Sequence, residues 1–134
     1  MSIDKYELSN DTLYVQTSMI PDAGRGLFAK LKILKGSTIC EYTGSHLTLL
    51  QTIRLKDKTY LMGGFGMNCH IDALDHPDVL ARYINDARDP LKQNARFVKL
   101  KPERKALVVA LRDIEPDEEI YASYGEVYWR YRDK

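Results

Sequence analysis

Asp113-Ile114-Glu115-Pro116-Asp117-Glu118-Glu119-Ile120-Tyr121-Ala122-Ser123-Tyr124-Gly125 closes a series of six short blocks. The earlier five are Ala23-Gly24-Arg25-Gly26-Leu27-Phe28-Ala29, Lys35-Gly36, Glu41-Tyr42-Thr43-Gly44, Ile71-Asp72-Ala73 and Ala81-Arg82-Tyr83-Ile84-Asn85. A lone Gly-x-Gly recurs by chance and says little. The same tripeptide inside an ordered set running from residue 23 to residue 129 says much more.

Around these blocks the chain has the makings of one domain. Its 134 residues suit a single core that hides roughly 65–70% of the unfolded surface. Apolar residues make up 44% and charged residues 29%, the usual balance of a globular protein. No apolar run nears the roughly 18 residues that span a bilayer, and Met1–Asn10 lacks the basic start and apolar stretch of a signal peptide. The expectation is an intracellular chain with no membrane partner. A net charge of +1 argues against direct nucleic-acid binding, which needs a larger basic excess. Lys92, Arg96, Lys99, Lys101, Arg104 and Lys105 read as a solvated strand pair and its turn, or else as a lure for an acidic partner. Cys40 and Cys69 cannot build a four-cysteine zinc site and read as buried and unreactive. His46, His70 and His76 show no metal-ligand spacing with them, so no metal is expected.

Short β-like runs dominate, broken by Gly, Pro, Asn and Asp. Strands are predicted at Leu13–Thr17, Leu27–Lys30, Thr38–Tyr42, Thr59–Met62, His70–Asp72, Ala95–Leu100 and Ala106–Leu111, the last fully buried because it is almost entirely apolar. Helical spacing is confined to Leu47–Lys56, one turn at Val79–Ile84 and another at Gly125–Arg130. The pattern predicts a mostly β fold without parallel βαβ units, which argues against a Rossmann architecture.

The ordered blocks resemble the SET-domain family of protein lysine methyltransferases that use S-adenosylmethionine. The resemblance implies small curved sheets, few short helices and a knot-like crossing near the C-terminus. Residues 1–134 then read as one minimal SET domain without the zinc clusters that flank it in many relatives. Methyl transfer is an in-line displacement by a neutral lysine amine on a sulfonium methyl, so the protein mainly aligns partners. Presenting the amine uncharged at pH 8 costs roughly 3 kcal/mol. The nearby sulfonium lowers that cost, so no dedicated base is required.

By resemblance Tyr124 is the catalytic phenol, polar, rigid and uncharged at neutral pH. Tyr60 walls the lysine channel, where an aromatic face suits an alkyl stem and a methylated ammonium; it also fits an ordinary strand tyrosine. Gly24, Arg25 and Gly26 match the first cofactor loop, glycine allowing close backbone approach, with Arg25 alternatively pointing to water. Asn85 is implied to bind the cofactor's amino group, and Arg82 stands beside it or serves the fold. Asp86-Ala87-Arg88 departs from the family's His-Ser-Cys, and an asparagine returns only at Asn94. Asp86, when ionised, accepts hydrogen bonds but donates none. Tyr128 and Trp129 fall where relatives without a zinc tail place an aromatic pair over adenine or substrate; Trp129 either stacks on the purine or seals the core. Asp72 reads as structural. Ala122 stands where many relatives carry Phe or Tyr, and its small size implies di- or trimethylation.

The implied substrate is a histone tail or another lysine-containing protein, with nuclear or host-chromatin location in a eukaryotic or viral source and cytoplasmic location otherwise. The alternative is a SET-like peptide-binding module with weak or no turnover, Asp86-Ala87-Arg88 being the mark of that loss. A homodimer whose second copy completes the channel is a further expectation, since little chain follows Trp129.

Overall fold

The computed structural model describes residues 8–66 and 68–132. β1 (Leu13–Thr17) and β2 (Arg25–Ala29) pair antiparallel, with Leu13 opposite Ala29 and Val15 opposite Leu27. β3 (Thr38–Tyr42), β7 (Ala95–Leu100) and β8 (Lys105–Ala110) form a second sheet with β8 in the middle. β4 (Ser45–Leu47), β5 (Leu61–Met62) and β6 (His70–Asp72) form a third around β6. Three small antiparallel sheets and few short helices among the described residues bear out the mostly β reading. α1 covers Leu49–Ile53, a 3-10 turn covers Leu80–Tyr83, and α2 covers Glu126–Arg132.

Local chemistry explains where the boundaries moved. The predicted strand at Thr59 starts only at Leu61, because Asp57 accepts from both the N–H and the hydroxyl of Thr59 at 2.9 and 2.5 Å and makes a turn there. The helix predicted from Leu47 starts at Leu49, because residues 45–47 pair with β6 as a strand that periodicity did not reveal. Thr48 caps it in a reciprocal box with Gln51. The strand predicted at Ala106–Leu111 runs Lys105–Ala110 and is not buried throughout. Ala106, Val108 and Ala110 are buried while Leu107 and Val109 are half-exposed, so an apolar run still alternates between two environments.

The core gathers Leu13, Leu27, Ile71, Ile84, Val108, Ile114 and Ile120, all fully enclosed. The C-terminal stretch threads through it. Residues 117–120 run antiparallel along β2, with Ile120 N–H donating to Leu27 and Ala29 N–H to Glu118. Residues 121–122 then pass between Asn85 and Asn94–Ala95 as parallel bridges on both sides. This is the knot-like crossing that the resemblance implied. Asn94, completely buried, locks it: its side chain donates to the Glu119 carbonyl and accepts from Tyr121 N–H, both at 2.8 Å. A buried amide with both ends satisfied stabilises, where an unpaired one would cost about 1–3 kcal/mol.

Candidate functional site

The crossing brings the C-terminal tyrosines against the 3-10 turn. Tyr124 is half-buried, and its hydroxyl donates to the Ile84 carbonyl at 2.5 Å. Its ring meets Tyr128 edge-on at 4.7 Å and stacks on Trp129 at 5.9 Å. Burial, then the neighbouring phenols of Tyr128 and Tyr42, the Asp86 carboxylate and Tyr60, push its ionisation well above the ordinary 10.0. The phenol is therefore locked neutral. With its proton committed to Ile84, its oxygen lone pairs remain to face a cation or an amine.

Tyr60 belongs to the same aromatic group. Its carbonyl accepts from the Tyr42 hydroxyl at 2.5 Å, and Tyr42 is buried with its own ionisation pushed far up, mainly by desolvation. Arg82 braces this side. Its guanidinium donates to the Ala73 and Leu74 carbonyls at 2.9 and 2.8 Å and lies 4.2 Å from the Tyr60 ring centre. The structural alternative for Arg82 thus describes its contacts. Sequence reasoning did not single out Tyr42. Its place in Glu41-Tyr42-Thr43-Gly44 was a signal, but only the folded chain shows its hydroxyl bound to the Tyr60 carbonyl and its ring against Phe97.

A second cluster lies where the Gly24–Gly26 loop meets Asn85. Gly24 has φ 74°, and a Cβ there would meet nothing within 4 Å, so the backbone at Gly24 faces open space. Arg25 is exposed, and its carbonyl accepts from the Asn85 side chain at 2.8 Å. Gly26 is needed for another reason: a Cβ would collide with the carboxylate of Glu119. Glu119 is only 4% exposed and accepts from Ser18 Oγ and Met19 N–H at 2.7 Å and from the Tyr121 hydroxyl at 2.9 Å. Tyr121 is in turn pushed up to about 12, by burial and then by that carboxylate. Glu119 is a site element the sequence reading missed, since a glutamate in an acidic run reads as solvated.

Between the two clusters stands Asp86, whose carboxylate accepts from Tyr124 N–H and the Trp129 indole. Partial burial draws its carboxyl upward, but hydrogen bonds from Trp129, Tyr124, Arg88 and Gln93 outweigh that and hold it below the ordinary 3.8. Trp129 lies half-buried against Tyr124, with the Arg88 guanidinium 4.0 Å from its ring centre. Ala122 is fully buried in the core and pairs with Ala95. Asp72 accepts from Leu74 N–H at 3.1 Å, a turn contact. Cys40 and Cys69 are half-buried rather than enclosed; burial, then Glu41, pushes the Cys40 thiol up to about 12. Among the described residues no group of three or more His, Cys, Asp and Glu could hold a metal, and no helix is long and apolar enough to cross a membrane.

Comparison with known proteins follows the same blocks. The sequence model of the SET domain matches residues 24–125. The "Histone-lysine N-methyltransferase, H3 lysine-4 specific" of Emericella nidulans is 32% identical over 107 residues, covering 74% of this chain and 8% of that protein. The proteins of the same name from Saccharomyces cerevisiae and Cryptococcus neoformans are 32% and 30% identical, over 74% and 75% of this chain and 10% and 7% of theirs. The chain thus spans at most a tenth of the length of these curated relatives. Among solved structures, the methyltransferase domain of human PR domain-containing protein 2 superposes with a TM-score of 0.67 at 22% identity, over 89% of this chain and 80% of that one.

Proposed function

The chain belongs to the SET-domain family, and from that premise we propose that it is an S-adenosylmethionine-dependent protein-lysine N-methyltransferase acting on a histone tail or another lysine-bearing protein. The observation that carries this reading is the Tyr124 phenol, held neutral, hydrogen-bonded to Ile84 and grouped with Tyr42, Tyr60 and Tyr128.

The residues fit the cofactor. The Gly24 backbone borders open space, Asn85 closes that loop by its bond to Arg25, and neutral phenols offer electron-rich oxygens to a positive centre without a competing ionisable base. When bound, S-adenosylmethionine supplies an electrophilic methyl group on a sulfonium. The chain's own part is alignment. Tyr124 directs its lone pairs toward the incoming amine, Tyr60 flanks the alkyl stem, and the tyrosine group keeps water from the amine, which favours its uncharged form. Tyr124 itself takes no proton, because its phenol does not ionise at neutral pH. Gly24, Gly26, Asn85 and Trp129 would hold the cofactor, and Ala122 and Tyr128 would border the lysine channel. The small Ala122 side chain favours products beyond monomethyl-lysine, which mass spectrometry of the modified peptide decides: product ending at one methyl group rejects it.

A labelled-methyl assay on histones and lysine peptides, beside calorimetry with S-adenosylmethionine, tests the main reading. Wild-type chain is expected to bind the cofactor and transfer label. Tyr124→Phe is expected to fold and bind but to lose turnover on the order of a hundredfold. Absence of both cofactor binding and transfer in the wild-type chain replaces the enzyme with the peptide-binding module.

A further inference from the structure

Four N–H donors converge on one carboxylate at Asp86. Oδ2 accepts from Tyr124 N–H at 2.9 Å and from the Trp129 indole at 2.7 Å. Oδ1 accepts from Arg88 N–H at 2.7 Å and from the Gln93 side chain at 2.5 Å. The first pair belongs to the C-terminal segment, the second to the 86–93 loop. The charge therefore ties its own loop to donors 38 and 43 residues further along the chain. Chemistry limits what can stand there. A neutral histidine has one acceptor nitrogen, and an asparagine has one acceptor oxygen with two donors beside it; only a carboxylate has two oxygens able to take two N–H groups each. Charge-assisted bonds of this kind are roughly twice as strong as neutral ones.

The contacts around it act in the same direction. Trp129 stacks on Tyr124 with 15° between the rings, and Arg88 covers Trp129. Arg88 itself adopts a left-handed φ of 54° beside the bond that Asp86 makes to its N–H. The loop, the indole and the Tyr124 backbone thus share a single anchor.

We propose that Asp86 is a positioning residue that fixes the Tyr124 backbone and the Trp129 indole together, and so aims the Tyr124 hydroxyl. The inference deepens the methyltransferase reading and rests on it for the role of the hydroxyl. Residue 86 is then no scar of lost activity but a replacement anchor, matched to the donors at Arg88, Gln93 and Trp129.

The test compares Asp86→Asn, Trp129→Phe and the double variant. Trp129 is the only tryptophan of the chain, so its emission reports the anchor without any need for turnover. With far-UV circular dichroism unchanged, Asp86→Asn is expected to shift that emission and to raise its quenching by iodide. Its kcat is expected to fall about tenfold or more through misalignment, while KM for the peptide stays within a few fold. Trp129→Phe keeps a ring but loses the indole donor, and its kcat should fall in the same direction. Since both changes break one anchor, the double variant should be no worse than Asp86→Asn alone. Unchanged emission and quenching in Asp86→Asn, or fully additive losses in the double variant, overturn the proposal. If Asp86→Asn does not fold, Trp129→Phe decides, and an unaltered kcat there overturns it. A wild-type chain that transfers no methyl group defeats the enzyme reading alone, and the emission result still decides the anchor.

Discussion

At Tyr124 the decisive property is a proton that stays where it is. The hydroxyl donates to Ile84 and the surroundings oppose ionisation, so the alkaline titration of the folded chain should contain no Tyr124 tyrosinate near pH 10. Difference absorbance of wild type against Tyr124→Phe checks this: identical tyrosinate curves up to unfolding are expected, and an extra phenol titrating near 10 in the wild type rejects it. At Gly26 the constraint is steric. A methyl group would run into the Glu119 carboxylate, and that carboxylate cannot swing away without abandoning Ser18, Met19 and Tyr121. Gly26→Ala should cost about 1–3 kcal/mol, read by urea unfolding, whereas Gly36→Ala lacks any such collision and should cost only its left-handed φ strain. The residue blocks were legible as candidates because chemistry restricts them to few residue types. Tyr42 and Glu119 were not, since ordinary strand and surface positions use the same residues.

Elements show the same division. β2 packs Leu27 at 0% exposure beneath the C-terminal crossing, and Leu27→Ala should destabilise by about 2–5 kcal/mol, the cost of lost burial plus a cavity. α1 is only five residues long and depends on its cap; Thr48→Ala should cost about 1 kcal/mol, and a loss of several would mean that the cap serves more than the helix. Both values come from denaturant midpoints at constant slope. Period-2 alternation and turn residues made most strands readable. β4 escaped because it runs into the helical spacing that starts at Leu47, and its pairing with β6 is a long-range event.

For the whole molecule, titration sets a stability window. Tyr124, Tyr42 and Tyr121 bind their protons more tightly folded than at their ordinary 10.0. Their contribution is complete below pH 10 and fades as pH rises past it. Asp86 and Glu118 sit below their ordinary 3.8 and 4.5, their hydrogen bonds outweighing partial burial. Their contribution is present above those values and fades as pH falls through the folded ones. Melting temperature should therefore be level between about pH 5 and 9 and decline on both sides; a maximum outside that interval contradicts the assignment. The order of motifs, the strand-rich character and the identity of the chemical side chains were determined by the sequence itself, because propensity, periodicity and residue chemistry act over short distances. Which tyrosines meet, which carboxylate is buried and what Asp86 holds were decided only when residues 119–124 passed between Asn85 and Asn94. Those contacts join positions tens of residues apart, and no local pattern encodes a partner that the chain reaches only by crossing itself.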